Sequence, residues 1–154
     1  MFTGDVVEAV THLNRVLVAE ERLSLCTICA VVLPDDPDQA PARVLCAGHP
    51  RPILVRNGAT SEVGSTGPLV GAFEDSVFDA EEVHLSHGDL LALFTDGLTD
   101  TRGVDGRLGA ERVHQILASV ASPRQAIEAL EGEITRFEHG PQADDTAIVA
   151  IQRT

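Results

Sequence analysis

The sequence has no lysine, no tryptophan and no tyrosine, and its aromatic residues are five Phe in a chain of 154. Without Tyr or Trp there is little flat surface on which bases could stack, which argues against single-stranded nucleic acid as a ligand. All 11 basic residues are Arg, set against 24 acidic ones, and the formal net charge is -13. No basic stretch is present to neutralise a phosphate backbone, so nucleic acid is excluded as a partner class. An anionic membrane surface would repel such a chain, and no membrane partner is expected. No apolar run reaches the length of a membrane span. MFTGDVVEAV also lacks the basic flank and long apolar core of a secretory leader, and a cytoplasmic location is the expectation.

Cysteine is scarce too, with three residues at 26, 29 and 46. Cys26 and Cys29 make a formal C-x-x-C, a spacing used for zinc and for redox chemistry. They lie in LCTICAVVL, which has the composition of a strand, and an odd offset puts the two side chains on opposite faces. No second pair completes a zinc site. All three are expected to be small buried hydrophobes.

What is present is a globular composition, 44% hydrophobic and 23% charged. The length suits one domain with a real core, taken here as residues 1–154. Val6, Val10, Leu13 and Leu17 recur at helical spacing and predict a helix over 4–22. Residues 25–33 form a β-branched run ended by Pro34, hence a strand; PDDPDQAPA is turn material, and the next strand is 43–47. Asn57-Gly58 between two apolar runs predicts a hairpin. The glycine-rich 64–73 reads as a loop and 82–86 as an edge strand. His87-Gly88-Asp89 turns the chain into the buried strand LLALF, 90–94. Val113, Ile116, Leu117 and Val120 mark one helix. Ser122-Pro123-Arg124-Gln125 is a capping box opening another, with Ile127, Leu130, Ile134 and Phe137 on its apolar side. The last strand is 146–152. Hairpins leave little room for parallel βαβ units, so the fold class is α+β.

Carboxylates stand at two strand ends: Asp96 where LLALFT stops, and Asp144-Asp145 where TAIVAIQ begins. An unpaired carboxylate at a buried strand end costs several kcal/mol. A hard divalent cation such as Mg²⁺ or Mn²⁺, which takes carboxylate and water oxygens, would remove that cost. Adjacent side chains at a strand start diverge, so one of Asp144 and Asp145 is expected to face the same site as Asp96. The competing explanation of Asp96-Gly97 is an ordinary hairpin turn. After Gly97, however, the chain runs through TDTRGVDG into a helix rather than resuming a strand. Ser65 and Ser86 lack a nucleophile context. His84 and His87 read as surface residues, and His49 in AGHPRP either lines a site or steadies its turn.

Taken together, AGHPRPILV (47–55), GPLVG (67–71), HGDLLALFTDGLTDTR (87–102), RLGAERV (107–113) and ADDTAIVAI (143–151) resemble successive blocks of the PPM-type metal-dependent protein serine/threonine phosphatases. LNRVL (13–17) followed by CTICAVVL resembles the bacterial branch that includes the stage II sporulation phosphatase and the phosphatases of sigma-factor partner switching. The resemblance implies an antiparallel β-sandwich flanked by helices, with a binuclear Mn²⁺ or Mg²⁺ centre at one end. It implies Asp96 and Asp144 as metal ligands, Asp145 as a ligand or supporting residue, and Gly97 as the residue that permits a close chain turn. The implied substrate is phosphoserine or phosphothreonine on a protein, often an anti-anti-sigma factor, attacked by a water that the metals activate.

Two departures stand beside this resemblance. The glycine-aspartate block that bridges the two metals in the family has no counterpart, because Gly4-Asp5 lies too close to LNRVL and reads as the start of a helix. Asp96 and Asp144 would then form half a site with little or no turnover, in an incomplete fold whose unpaired sheet edges offer a route to a homodimer. Cys46 also stands where many relatives carry Asn. The alternative function is a non-catalytic remnant or binding module of a partner-switching pathway.

Overall fold

Asp5 starts the first helix as its backbone stays extended and its carboxylate accepts from the Val7 N–H at 2.7 Å. In the computed structural model, which describes residues 5–20, 24–104, 106–140 and 144–154, the elements follow in this chain order. They are α1 (Val6–Val18), β1 (Ile28–Val32), β2 (Ala42–Ala47), β3 (Ile53–Arg56), β4 (Ala59–Glu62), β5 (Ser65–Gly67) and β6 (Glu81–Val83). Then come β7 (Leu90–Phe94), α2 (Asp96–Thr99), β8 (Arg102–Gly103), β9 (Gly106–Arg107), α3 (Gly109–Leu117), α4 (Pro123–Phe137) and β10 (Ile148–Gln152). The α+β class and its antiparallel sheets with helices are as the sequence predicts.

The chain divides into two compact units, the first formed by Met1–Arg51 and Val63–Leu85. Its sheet runs β1-β2-β5, with β6 also paired to β2. The core gathers Val10 of α1 with Leu45, Ala47, Val70 and Phe78. Asn14, only 1% exposed, fixes α1 to the loop after β5. Its side-chain oxygen accepts from the Gly71 N–H at 2.7 Å, and its amide donates to the Phe73 carbonyl at 2.9 Å. Asp5 also pairs with Arg43 of β2 at 3.2 Å; Asp5 starts the helix as predicted, while Gly4 lies outside the described residues.

Three boundaries in this unit differ from expectation. The strand predicted over 25–33 is shorter because Cys26 exchanges both backbone hydrogen bonds with Val70, at 3.1 and 3.0 Å, leaving β1 to pair with β2. The predicted glycine-rich loop contains β5, which lies parallel to β2; the chain returns in the same direction after an excursion through β3 and β4, as a parallel pair requires. The predicted edge strand begins one residue early as β6 and ends at Val83.

The second unit comprises Pro52–Glu62 and Ser86–Thr154. Asn57 and Gly58, at φ 52° and 77°, supply the two left-handed positions of a tight hairpin between β3 and β4. The sheet order is β10-β7-β3-β4, antiparallel throughout. Alternate residues of β7, Leu90, Ala92 and Phe94, join Leu98, Val113, Leu117, Ala126 and Leu130 in one core beneath α3 and α4. Ser122 caps α4 by accepting from the Gln125 N–H at 3.3 Å, while Gln125 returns a bond to the Ala121 N–H at 2.9 Å. At the far end of β10, Gly88 donates to the Arg153 carbonyl at 2.8 Å and Arg153 donates to the Asp89 carbonyl at 3.0 Å.

Asp89 itself, read in the sequence only as a turn residue, is 4% exposed. Arg56 holds it with two side-chain nitrogens, at 3.0 and 2.6 Å. Burial works against the charged carboxylate, but Arg56, the Ser86 N–H and the Arg153 charge outweigh it and hold Asp89 below its ordinary 3.8.

Candidate metal centre

The pairing of β7 with β10 places Phe94 opposite Ile148, so the residues just beyond each strand face one another at one end of the sheet. Thr95 joins them. Its backbone N–H donates to the Ala147 carbonyl at 3.0 Å, its hydroxyl donates to the Asp145 carbonyl at 3.0 Å, and the Ala147 N–H donates back to that hydroxyl at 2.9 Å. Thr95 makes no side-chain cap for α2, since its oxygen is committed across the sheet end. The next residues, Asp96 at the start of α2 and Asp144-Asp145 in the segment before β10, are thereby held at the same end of the sheet.

Gly97 allows this closeness. A Cβ there would press into the Asp145 carbonyl oxygen, stand 2.9 Å from its carbon and 3.0 Å from the Thr146 hydroxyl. Below Gly97, Leu98 is fully buried, and the Thr101 hydroxyl donates to the Gly97 carbonyl at 2.9 Å. The Asp96 carbonyl accepts from the Asp100 N–H at 2.8 Å and from the Thr99 hydroxyl at 3.0 Å. Asp96 is thus the first residue of a rigid helical turn rather than part of the hairpin turn that D-G alone would suggest.

Asp96, Asp144 and Asp145 are exposed, not buried, because the core of β7 closes at Phe94 and the carboxylates leave the sheet end into solvent. No desolvation cost demands a cation there; the case for a metal rests on the convergence of these two segments. Asp144 and Asp145 are held by different bonds. The Asp144 carboxylate accepts from the Asp145 N–H at 2.8 Å, while the Asp145 carbonyl is occupied by Thr95. Among the described residues no ion pair involves these three aspartates; the nearby Asp100 pairs with Arg107 at 2.8 Å.

The donor set fits a hard cation in kind, being carboxylate oxygen throughout, with open solvent to supply waters. Among the described residues no cluster of three or more His, Cys, Asp or Glu is arranged to hold a metal. The clip made by Thr95 was not read from the sequence; the only signal was a hydroxyl residue directly before the aspartate. The remaining candidates lie as follows. Ser65 donates to the Asp79 carbonyl, His49 Nδ1 lies 2.9 Å from the Pro50 carbonyl, and His84 and His87 are exposed. Of the cysteines only Cys46 is buried; Cys29 is half-buried on β1 at the sheet edge, and Cys26 is half-buried where its backbone bridges to Val70.

With this geometry in hand, the comparisons with known proteins agree on one family. The sequence profile of Stage II sporulation protein E (SpoIIE) matches residues 3–154. The chain belongs to that family. Protein IcfG of Synechocystis sp. is 30% identical over 112 residues, which is 70% of this chain and 18% of that protein. The chain therefore spans less than a fifth of that relative. The SpoIIE phosphatase domain of Bacillus subtilis, presoaked with Mn, superposes with a TM-score of 0.71 at 17% identity, covering 99% of this chain and 67% of that one. The structure of the RsbU and RsbW domains of Rv1364c from Mycobacterium tuberculosis gives 0.77 at 24% identity, covering 97% and 43%.

Proposed function

We propose that this chain is a Mn²⁺- or Mg²⁺-dependent protein serine/threonine phosphatase domain acting in the cytoplasm on a phosphorylated regulatory protein, an anti-anti-sigma factor being the implied substrate. The observation that carries this is the clip of Thr95 onto Asp145 and Ala147, which sets Asp96 and Asp144 at the same end of the sheet. Asp96 and Asp144 would hold the metal, with Asp145 supporting. Bound there, the metal would offset phosphoryl charge and lower the pKa of an attacking water. With no lysine and a net charge of -13, the protein needs cations to hold a phosphate at an acidic loop pair. The family match and the Mn-presoaked relative of the same fold support this reading.

A second reading, a phosphoprotein-binding module without catalysis, is favoured by the lack of a three-residue ligand cluster among the described residues. One experiment separates the two. Mn²⁺ is titrated calorimetrically into the chain and into Asp96→Asn, and hydrolysis of a phosphoserine peptide is followed with and without Mn²⁺. Mn²⁺-dependent turnover that Asp96→Asn abolishes supports the phosphatase and overturns the expectation of little or no turnover drawn from the missing bridging block. Mn²⁺ binding without turnover supports the module, and no Mn²⁺ binding overturns the metal centre itself.

A further inference from the structure

Cys29 and Cys46 are directly opposed in the antiparallel ladder of β1 and β2, and their sulfurs lie 3.9 Å apart. The sequence spacing hid this pair, because C-x-x-C draws attention to Cys26, whose backbone is committed to Val70. We propose that Cys29 and Cys46 are an oxidation site that closes reversibly into an intrachain disulfide when the chain meets hydrogen peroxide.

Access and geometry both support this site. Cys29 is half-buried on an outer strand of its sheet, within reach of a small oxidant, while Cys46 is 1% exposed. Behind Cys46 the space is closed: a Cβ on Gly64 would stand 3.3 Å from its sulfur, and the Pro50 carbonyl is 3.9 Å away. The partner in reach is Cys29. Opposed strand residues hold their Cβ atoms about 4.5–5.5 Å apart, whereas a relaxed disulfide wants about 3.8 Å. β1 must therefore draw inward slightly, which an edge strand can do. A bond that reaches half-buried Cys29 on an outer strand stays open to attack by a small thiol, the behaviour of a labile rather than a structural disulfide.

The two thiols share a single hydrogen bond. Cys46 is held below its ordinary value by Cys29, against burial and with help from Arg51, whereas Cys29 is pushed up by the same bond and by burial. The hydrogen bond that links the two sulfurs already points one at the other, the approach that bond formation needs. The chemistry balances with peroxide as the sole oxidant. A thiolate attacks one peroxide oxygen, the O–O bond breaks, and hydroxide leaves and becomes water on taking up a proton. The resulting sulfenic acid is attacked by the second sulfur, an S–S bond forms, the S–O bond breaks, and a second water leaves. Two thiols are oxidised and one peroxide is reduced.

The test uses the whole chain, treated with hydrogen peroxide, unfolded, alkylated with iodoacetamide and weighed intact. The expected product has lost the mass of two hydrogen atoms, carries one alkyl group instead of three, and regains all three after reduced glutathione. Cys26→Ser should still form the bond, whereas Cys29→Ser and Cys46→Ala should not. If Cys46→Ala fails to fold, Cys29→Ser, at the half-buried edge position, carries the comparison. Alkylation of all three thiols after peroxide, a bond that maps to Cys26, or disulfides formed only between chains would each overturn the proposal.

Discussion

Thr95 grips Ala147 twice: its backbone N–H donates to the Ala147 carbonyl at 3.0 Å, and its hydroxyl accepts from the Ala147 N–H at 2.9 Å. The same hydroxyl donates to the Asp145 carbonyl. Thr95→Val keeps the shape and removes the clip. The loops then part, and Mn²⁺ affinity should fall about 10–100-fold, the usual cost of losing support behind a metal ligand. Thr95→Ser, which keeps the hydroxyl, should retain it. Calorimetric titration of the three proteins checks this, and equal affinity for Val and Ser would refute the clip.

Gly97→Ala tests the close approach directly. The added methyl meets backbone rather than a yielding side chain, so the two loops must separate. A loss of about 1–3 kcal/mol is expected, as for other overpacked sites. Urea unfolding measures it, and Mn²⁺ binding should weaken in parallel.

How much of this was legible beforehand differs from residue to residue. Asn57-Gly58 and Ser122-Pro123 were readable because their roles depend on their own backbone angles and hydrogen bonds. β5 was not, since a three-residue strand paired in parallel owes its existence to β2, not to its own glycine-rich sequence. The aspartates were located correctly at the sheet end, but their exposure was misjudged, because apolar residues before Asp96 say nothing about where the core stops. Thr95 and Cys29 were missed for one reason: their partners, Ala147 and Cys46, are distant in the chain and only the strand register brings them near.

Asp89 gives a pH dependence. Its folded pKa lies below the ordinary 3.8, so its contribution is complete above that value and is lost as pH falls through the folded pKa. Asp89→Asn should therefore cost most above about pH 4 and approach the wild type once the pH lies below the folded pKa. The Arg56 side chain is 44% exposed, so solvent screens the pair. A loss of about 2 kcal/mol is expected, less than the roughly 3–5 of a fully buried pair. Denaturant midpoints measured across that range decide it; a difference that widens on acidification would contradict the assignment.

The last strand, β10, is anchored twice, by Thr95 where it enters and by Gly88 and Asp89 where it leaves. Five consecutive rungs against β7 join these anchors. A strand so fastened behaves as a ruler of fixed length: it cannot be shifted by a residue without tearing both fixings. A deletion between Ile148 and Gln152 would therefore disturb the loop of Asp144, even though the deleted residue lies well inside the ladder.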